Sequence, residues 1–259
     1  MCMKNIKYKA TDYPSDLTDS QWESISDFFP SGNKSGIHKR SLVEAVLYLV
    51  DNGCKWRALP HDYPKWSTVK SFNYRAVEKG VWEKVMTALV KETRKRAGRD
   101  TTPSYAIIDS QSVKTSSSND SRGFDGGKKV KGRKRHIITD TMGNILAVLV
   151  HAANIHDTKI GIYPAKKAYD KYPTIKRFCG DEGYRKTFVN DIWEWLGLGV
   201  DISKRIKPTF EVLPVRWIVE RTLAWIANSR RLSKDYEIRS AIAENMIFIS
   251  HSHTLLKRL

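Results

Sequence analysis

Cysteine is nearly absent from this chain of 259 residues. Its three examples, Cys2, Cys54 and Cys179, lie far apart with no metal-ligand spacing. That excludes a disulfide-built fold, fits a reducing compartment and leaves Cys54 and Cys179 as expected small core residues. The histidines are scattered as well, which argues against a zinc enzyme. No apolar run reaches the roughly 18 residues of a membrane span, and no amphipathic basic helix of the headgroup-docking kind is present, so no membrane partner is expected. The N-terminal Met1-Cys-Met-Lys-Asn-Ile-Lys-Tyr-Lys has charge but no apolar segment and does not read as a secretory signal. A cytoplasmic, nucleoid-associated protein is expected. Internal repeats are missing, and the Ser/Asp/Gly-rich stretch from Ser116 to Gly127 is the lone low-complexity tract. Acidic residues are scarce too: Asp and Glu total 28 against 45 Lys and Arg, a formal net charge of +17. Such an excess implies a polyanionic partner, with nucleic acid the first candidate.

What is present divides at a charged, proline-containing stretch from Arg94 to Pro103. The reading is a helical DNA-binding or dimerisation domain over 1–93, a linker over 94–103 and a catalytic domain over 104–259. In the first part, Thr18 or Asp19 caps a helix carrying Trp22, Ile25, Phe28 and Phe29 at helical spacing. Further helices are predicted from Ser41 to Asp51, Ser67 to Lys79 and Val81 to about Lys95, and short helices with tight loops suit a helix-turn-helix-like module. Past the boundary the period changes. Tyr105 to Asp109 is a short strand ending in a carboxylate. Arg135 to Asp140 and Ile145 to His151 form a hairpin. A helix from Asp157 to about Lys171 follows, then a strand from Ile175 to Cys179, a helix from Thr187 to Leu196, a strand from Val200 to Ile202 and helices at 215–229 and 240–257. The order is mixed α/β around a central sheet.

Three carboxylates stand where chemistry can use them: Asp109 at a strand end, Asp181 just past a later strand and Glu220 inside a helix. Mg²⁺ takes oxygen ligands and keeps several waters, so a few carboxylates plus a substrate phosphate suffice. Two such ions about 3.5–4 Å apart can serve an in-line displacement at phosphorus. The plainer alternative is that strand-end Asp residues cap turns and Glu220 pairs with Arg216 or Arg221. Trp217, Val219, Leu223 and Trp225 around Glu220 predict a rigid, partly buried helix, as a metal ligand requires. Glu182 is an equally placed rival to Asp181.

The stretches Ile107-Ile-Asp-Ser-Gln-Ser-Val113, Gly132-Arg-Lys-Arg-His-Ile-Ile-Thr-Asp140, Ala153-Asn-Ile-His-Asp157, Gly180-Asp-Glu-Gly-Tyr-Arg185 and Arg216-Trp-Ile-Val-Glu-Arg-Thr222 carry a resemblance by their order and spacing. Over nearly its whole length the chain resembles the DDE transposases of bacterial insertion sequences, in the insertion sequence five family. Gly53-Cys-Lys-Trp-Arg-Ala-Leu-Pro60 and Trp66-Ser-Thr-Val-Lys70 resemble the helical module preceding the catalytic domain there. The resemblance implies an RNase H-like mixed sheet flanked by helices after a small all-α domain. It places the acidic triad on Asp109, Asp181 and Glu220, which separates Asp181 from Glu182, with two Mg²⁺ or Mn²⁺ ions as cofactors. It further implies cleavage of element ends and joining of the 3′-hydroxyls to target DNA by at least a homodimer. The related proteins carry Tyr and Lys where this chain has Leu213 and Ala227, so the Lys role in gripping phosphate is expected to pass to Arg230 or Arg231. The alternatives are an RNase H-like nuclease without strand transfer and a catalytically silent helix-turn-helix regulator.

The expected DNA contacts are the basic run Lys128, Lys129, Lys131, Arg133, Lys134 and Arg135, then Lys204 and Arg205, Arg216, Arg230 and Arg231, and, on a candidate recognition helix, Lys70, Asn73 and Arg75. Each has a plain counterpart as a solvated loop or helix face. Asp157 is read as the cap of its helix, Tyr184 and Arg185 as phosphate-positioning or merely packing, and Trp22, Trp82, Trp193 and Trp195 as core.

Overall fold

The computed structural model describes residues 8, 10–30, 36–116, 119–203 and 215–259. Thr18 begins α1 (Asp19–Glu23) with a capping box: its hydroxyl accepts the Gln21 N–H while the Gln21 side chain accepts the Thr18 N–H. The helix expected to continue to Phe29 stops early and gives way to a 3₁₀ turn over Ser26–Phe28. Ser24 and Ser26 explain the break, because their hydroxyls bond the carbonyls of Gln21 and Glu23 and compete with the helical ladder. α2 (Lys39–Asn52) ends on Gly53 at φ +70°. A Cβ there would also lie 2.9 Å from that of Arg230, so both conformation and contact demand glycine. α3 (Trp66–Glu78) and α4 (Val81–Arg96) complete the helical part. Its aromatic centre sets Phe29 against Phe72 and Trp82 at 5.9 and 5.2 Å.

The sheet begins with β1 (Tyr105–Lys114), which runs through Asp109 and does not end on it. β2 (Gly123–Asp125), absent from the sequence reading, pairs with the start of β3 (Val130–Thr139), and β3 turns into β4 (Ile145–Ala152). The expected helix from Asp157 is broken at Gly161 into α5 (Asp157–Ile160) and α6 (Ile162–Lys171). β5 (Arg177–Asp181), α7 (Thr187–Leu196) and β6 (Gly199–Ser203) follow, then α8 (Arg216–Asn228) and α9 (Ser240–Leu256). The main order is β2-β3-β1-β5-β6 with β4 also on β3. β1, β2, β3 and β4 pair antiparallel, whereas β1, β5 and β6 are parallel. An antiparallel meander continued by two parallel strands is the RNase H-like sheet.

α9 is buried nearly all round, as a helix enclosed by other elements must be, and packs on α4, α2 and β4. It thereby joins the buried apolar residues of the helical part and the sheet in one continuous core. Arg94, at the end of α4, is buried and reaches Asp140 beneath the β3–β4 turn at 2.6 Å. No helix among the described residues is long and apolar enough to cross a membrane.

Candidate active site

β1 and β5 are paired from Tyr105↔Arg177 to Ile107↔Cys179. Two residues further along each strand stand Asp109 and Asp181. Side chains alternate along a strand, so this register brings both carboxylates out on the same face of neighbouring strands. Asp109 Oδ1 accepts the Ser110 N–H at 2.7 Å. Burial pushes the Asp109 carboxyl up to about 6, and the Asp181 charge adds to that rise, while the Ser110 N–H, Arg216 and Lys128 pull it down. Asp181 closes β5 and accepts the Gly183 N–H at 2.8 Å, capping the turn Glu182–Tyr184. Its rival Glu182 pairs instead with Arg185 at 2.6 Å on the surface.

α8 crosses β1, β3 and β5 with Val219, Thr222, Leu223 and Ile226 buried beneath it. Its open side carries Arg216 and Glu220. Arg216 Nη2 lies 3.5 Å from Asp181 Oδ2, and its Nε lies 3.2 Å from Glu220 Oε1. Lys128 bends over the same edge and donates to the Ser110 carbonyl at 3.0 Å. The three carboxylates supply the hard oxygen donors that Mg²⁺ or Mn²⁺ takes, and a cation beside Asp109 would relieve the cost of its burial next to Asp181. As the side chains stand, no group of three His, Cys, Asp or Glu among the described residues is gathered closely enough to hold a metal ion. A guanidinium lies among the carboxylates instead.

The basic run splits. Lys128, Lys129 and Lys131 are exposed, but Arg133, Lys134 and Arg135 are buried and are corrected as DNA contacts. Both faces of β3 are covered, so residues of either parity go inside. On one face Arg133 pairs with Asp235 at 3.0 Å and with Asp120, and donates to the carbonyls of Ser121 and Glu237, both at 2.9 Å. Arg135 donates to the Leu232 carbonyl at 2.7 Å. On the other face Lys134 pairs with Asp157 at 2.7 Å and donates to the Ile155 carbonyl, while Asp157 accepts from Ser110 Oγ at 3.0 Å. Burial alone would raise Asp157, but Lys134 outweighs it and holds the carboxyl below its usual range. His136 stacks on His151 with ring nitrogens 2.8 Å apart, and burial pushes it down to about 3, so it stays neutral. Sequence reasoning missed this layer under β1. No local signal marks it, because the carboxylates that pair with Arg133 and Lys134 are distant along the chain or lie across a turn.

Other expectations also change. His156, not Asp157, caps α5, because its ring accepts the Thr158 N–H while Asp157 is committed to Lys134. Tyr184 is fully buried, packs against Phe188 and His136, and leaves Arg185 as the exposed member of that pair. Asn73 is buried on the apolar side of α3 and accepts from Trp82 Nε1 at 3.0 Å, leaving Lys70 and Arg75 along a groove with Ser67, Ser71 and Tyr74. Arg231 is buried against Glu237 at 2.7 Å, whereas Arg230 is exposed. Cys54 is only half-buried, and Trp193 and Trp195 are exposed on α7, not core. Lys204 and Arg205 lie outside the described residues.

Two family models match the chain. Residues 17–86 match the one described as "Putative transposase of IS4/5 family" and residues 100–255 the one described as "Transposase DDE domain". Among curated proteins, "Uncharacterized protein y4sN" of Sinorhizobium fredii (strain NBRC 101917 / NGR234) is 34% identical over 80 residues, 29% of this chain and 64% of that protein. "Putative transposase for insertion sequence element IS402" of Burkholderia cepacia is 31% identical over 123 residues, 43% of this chain and 56% of that protein. The chain thus spans between half and two thirds of these relatives' lengths. Among solved structures, a piggyBac transposase synaptic complex with hairpin DNA aligns with 94% of this chain and 73% of that one, at 10% identity and a TM-score of 0.43.

Proposed function

Because the chain belongs to the Transposase DDE domain family, we propose that it is a DNA transposase whose catalytic residues are Asp109, Asp181 and Glu220. The observation that carries this reading is the β1–β5 register, which sets Asp109 beside Asp181, with α8 bringing Glu220 and Arg216 over the same edge. Two divalent cations, Mg²⁺ or Mn²⁺, held by these three carboxylates would supply activation of the attacking water or 3′-hydroxyl and stabilisation of the leaving oxygen.

The chain's own residues supply placement. The Ser110 N–H and the Gly183 N–H fix one oxygen each of Asp109 and Asp181, and the second oxygen of Asp181 faces Arg216. The Lys134–Asp157–Ser110 layer braces β1 from below. Lys128 and Arg216 flank the carboxylates and are placed to receive phosphate oxygens. Lys129, Lys131 and Arg230 extend that surface for the DNA backbone, and Lys70 and Arg75 on α3 face the element's terminal repeats. In this reading residues 1–93 bind DNA or dimerise, 94–103 connect, and 104–259 cut and join. Two element ends must be joined together, so the acting species on chromosomal DNA in the cytoplasm is at least a homodimer.

The test incubates purified protein with labelled element-end duplex and a plasmid target, with and without Mg²⁺, comparing wild type with Asp109→Ala, Asp181→Ala and Glu220→Ala. Metal-dependent cleavage and joining lost in all three variants supports the proposal. Cleavage without joined product reduces it to a nuclease, and DNA binding without cleavage to a regulator.

A further inference from the structure

Arg216 differs from the other arginines of this region. Arg133, Arg135 and Arg231 are buried, and each is fixed by hydrogen bonds to backbone carbonyls. The Arg216 side chain is about a third exposed, its Nε makes no hydrogen bond, and it is held by charge alone, 3.5 Å from Asp181 and 3.2 Å from Glu220. Its charge also acts on Asp109. One guanidinium therefore pairs with two of the three carboxylates.

We infer that Arg216 is a built-in counter-ion, standing between Asp181 and Glu220 in place of a cation and moving from the carboxylates to a DNA phosphate when divalent cations bind. This rests on the reading of the three carboxylates as a metal centre. A guanidinium within 4 Å of two ligands repels an incoming dication, so binding of the ion requires Arg216 to leave. Phosphate offers the same planar, bidentate partner that carboxylate does. Two ligands that both draw Arg216 out of the carboxylates must favour each other's binding by equal factors. Metal and DNA are thereby coupled through one side chain, and without metal Arg216 offsets part of the acidic cluster's charge.

The experiment titrates the full chain with Mn²⁺ alone and follows free Mn²⁺ by its electron paramagnetic resonance signal, for wild type, Arg216→Gln and Arg216→Lys. Removing the counter-ion is expected to tighten Mn²⁺ binding by about fivefold or more, with Arg216→Lys close to wild type. Adding non-cleavable duplex DNA is expected to tighten binding in wild type and to do so much less in Arg216→Gln. Equal or weaker Mn²⁺ binding by Arg216→Gln overturns the inference, since a residue that merely positions the ligands would weaken binding when lost. Asp109→Asn and Glu220→Gln separate the two levels. If neither weakens Mn²⁺ binding, the metal-centre reading itself falls; if both do and Arg216→Gln is no tighter, only the role of Arg216 falls. Thermal melts in chelator are expected to leave Arg216→Gln folded, because no hydrogen bond of its Nε is lost.

Discussion

Lys128 to Lys131 and Arg133 to Arg135 belong to one basic run, separated by Gly132, yet they meet opposite surroundings. The first part turns its charges outward, and apart from the reach of Lys128 over Ser110 these lysines are open to an outside anion. The second part enters β3, where each charge has its own carboxylate or a set of carbonyls. The acids divide in the same way. Asp140, Asp157 and Asp235 each face a cation buried inside the fold, whereas Asp181 and Glu220 share the partly exposed Arg216 and Asp109 has no ion pair. A charge leaves water only when paired, so a charge with a buried partner belongs to the fold and one without belongs to a ligand. Each variant below attacks that division from one side.

The largest effect is expected for the three acids of the candidate site. Asp109→Ala, Asp181→Ala and Glu220→Ala should each lower cleavage by a factor on the order of 10³ or more. None of them should melt appreciably below wild type, and a collapse of the fold in any of them would erase the distinction. On the other side stands Arg133→Met, which strands Asp235 in the interior. Breaking a buried pair costs about 3–5 kcal/mol, and at roughly 2–4 °C per kcal/mol for a chain of this size the melt should fall by about 6–20 °C. A drop of only a degree or two would mean that Arg133 is not structural.

Asp109→Asn sharpens the contrast through its sign. Burial raises the folded-state Asp109 carboxyl to about 6. Its contribution to stability is complete below the unfolded value of about 3.9 and is lost as pH rises through about 6. At pH 8 the buried anion costs ~3 kcal/mol in the metal-free protein, a figure that bound cation removes. In chelator the Asn variant should therefore melt several degrees above wild type at pH 8, and the two should converge towards pH 4. A variant less stable than wild type at pH 8 would show that Asp109 is anchored like Asp235. The same ionisation makes Mn²⁺ binding by wild type weaken below about pH 6.

How much of this was legible beforehand follows the same physics. α3, α4, α7, α8 and α9 lie within a residue or two of their sequence limits, because an apolar helical pattern is local information, sharpened by Gly80 between α3 and α4 and by Gly197 after α7. The interior of β3 was not legible. Arg133 and Lys134 look solvated until Asp235, Asp120 and Asp157, distant along the chain, are brought against them. At the candidate site the order of family motifs singled out Asp109, Asp181 and Glu220, but not the guanidinium that Asp181 and Glu220 share. An Arg and a Glu four residues apart read as an ordinary helical pair, and only the meeting of β5 with α8 adds Asp181.

The smallest effect on the fold belongs to Lys129, and its backbone makes the test clean. Lys129 adopts φ +53°, a left-handed conformation that Asn or Gly takes more easily than Lys. The local backbone therefore gives lysine no advantage there, and its exposed side chain has no structural claim on the position. Lys129→Asn should leave the melt unchanged or raise it slightly, while removing one phosphate contact. DNA affinity measured across a salt series should drop a few-fold, and the slope of log K against log salt should become shallower by about 0.9. Lys131→Gln should do the same, and Arg133→Met, assayed well below its melt, should leave the slope alone. A slope unchanged in Lys129→Asn would place that lysine with the solvated charges and remove it from the DNA surface. A slope altered by Arg133→Met would mean that the buried pairs open on DNA, and the division between fold charges and ligand charges would not survive contact with the substrate.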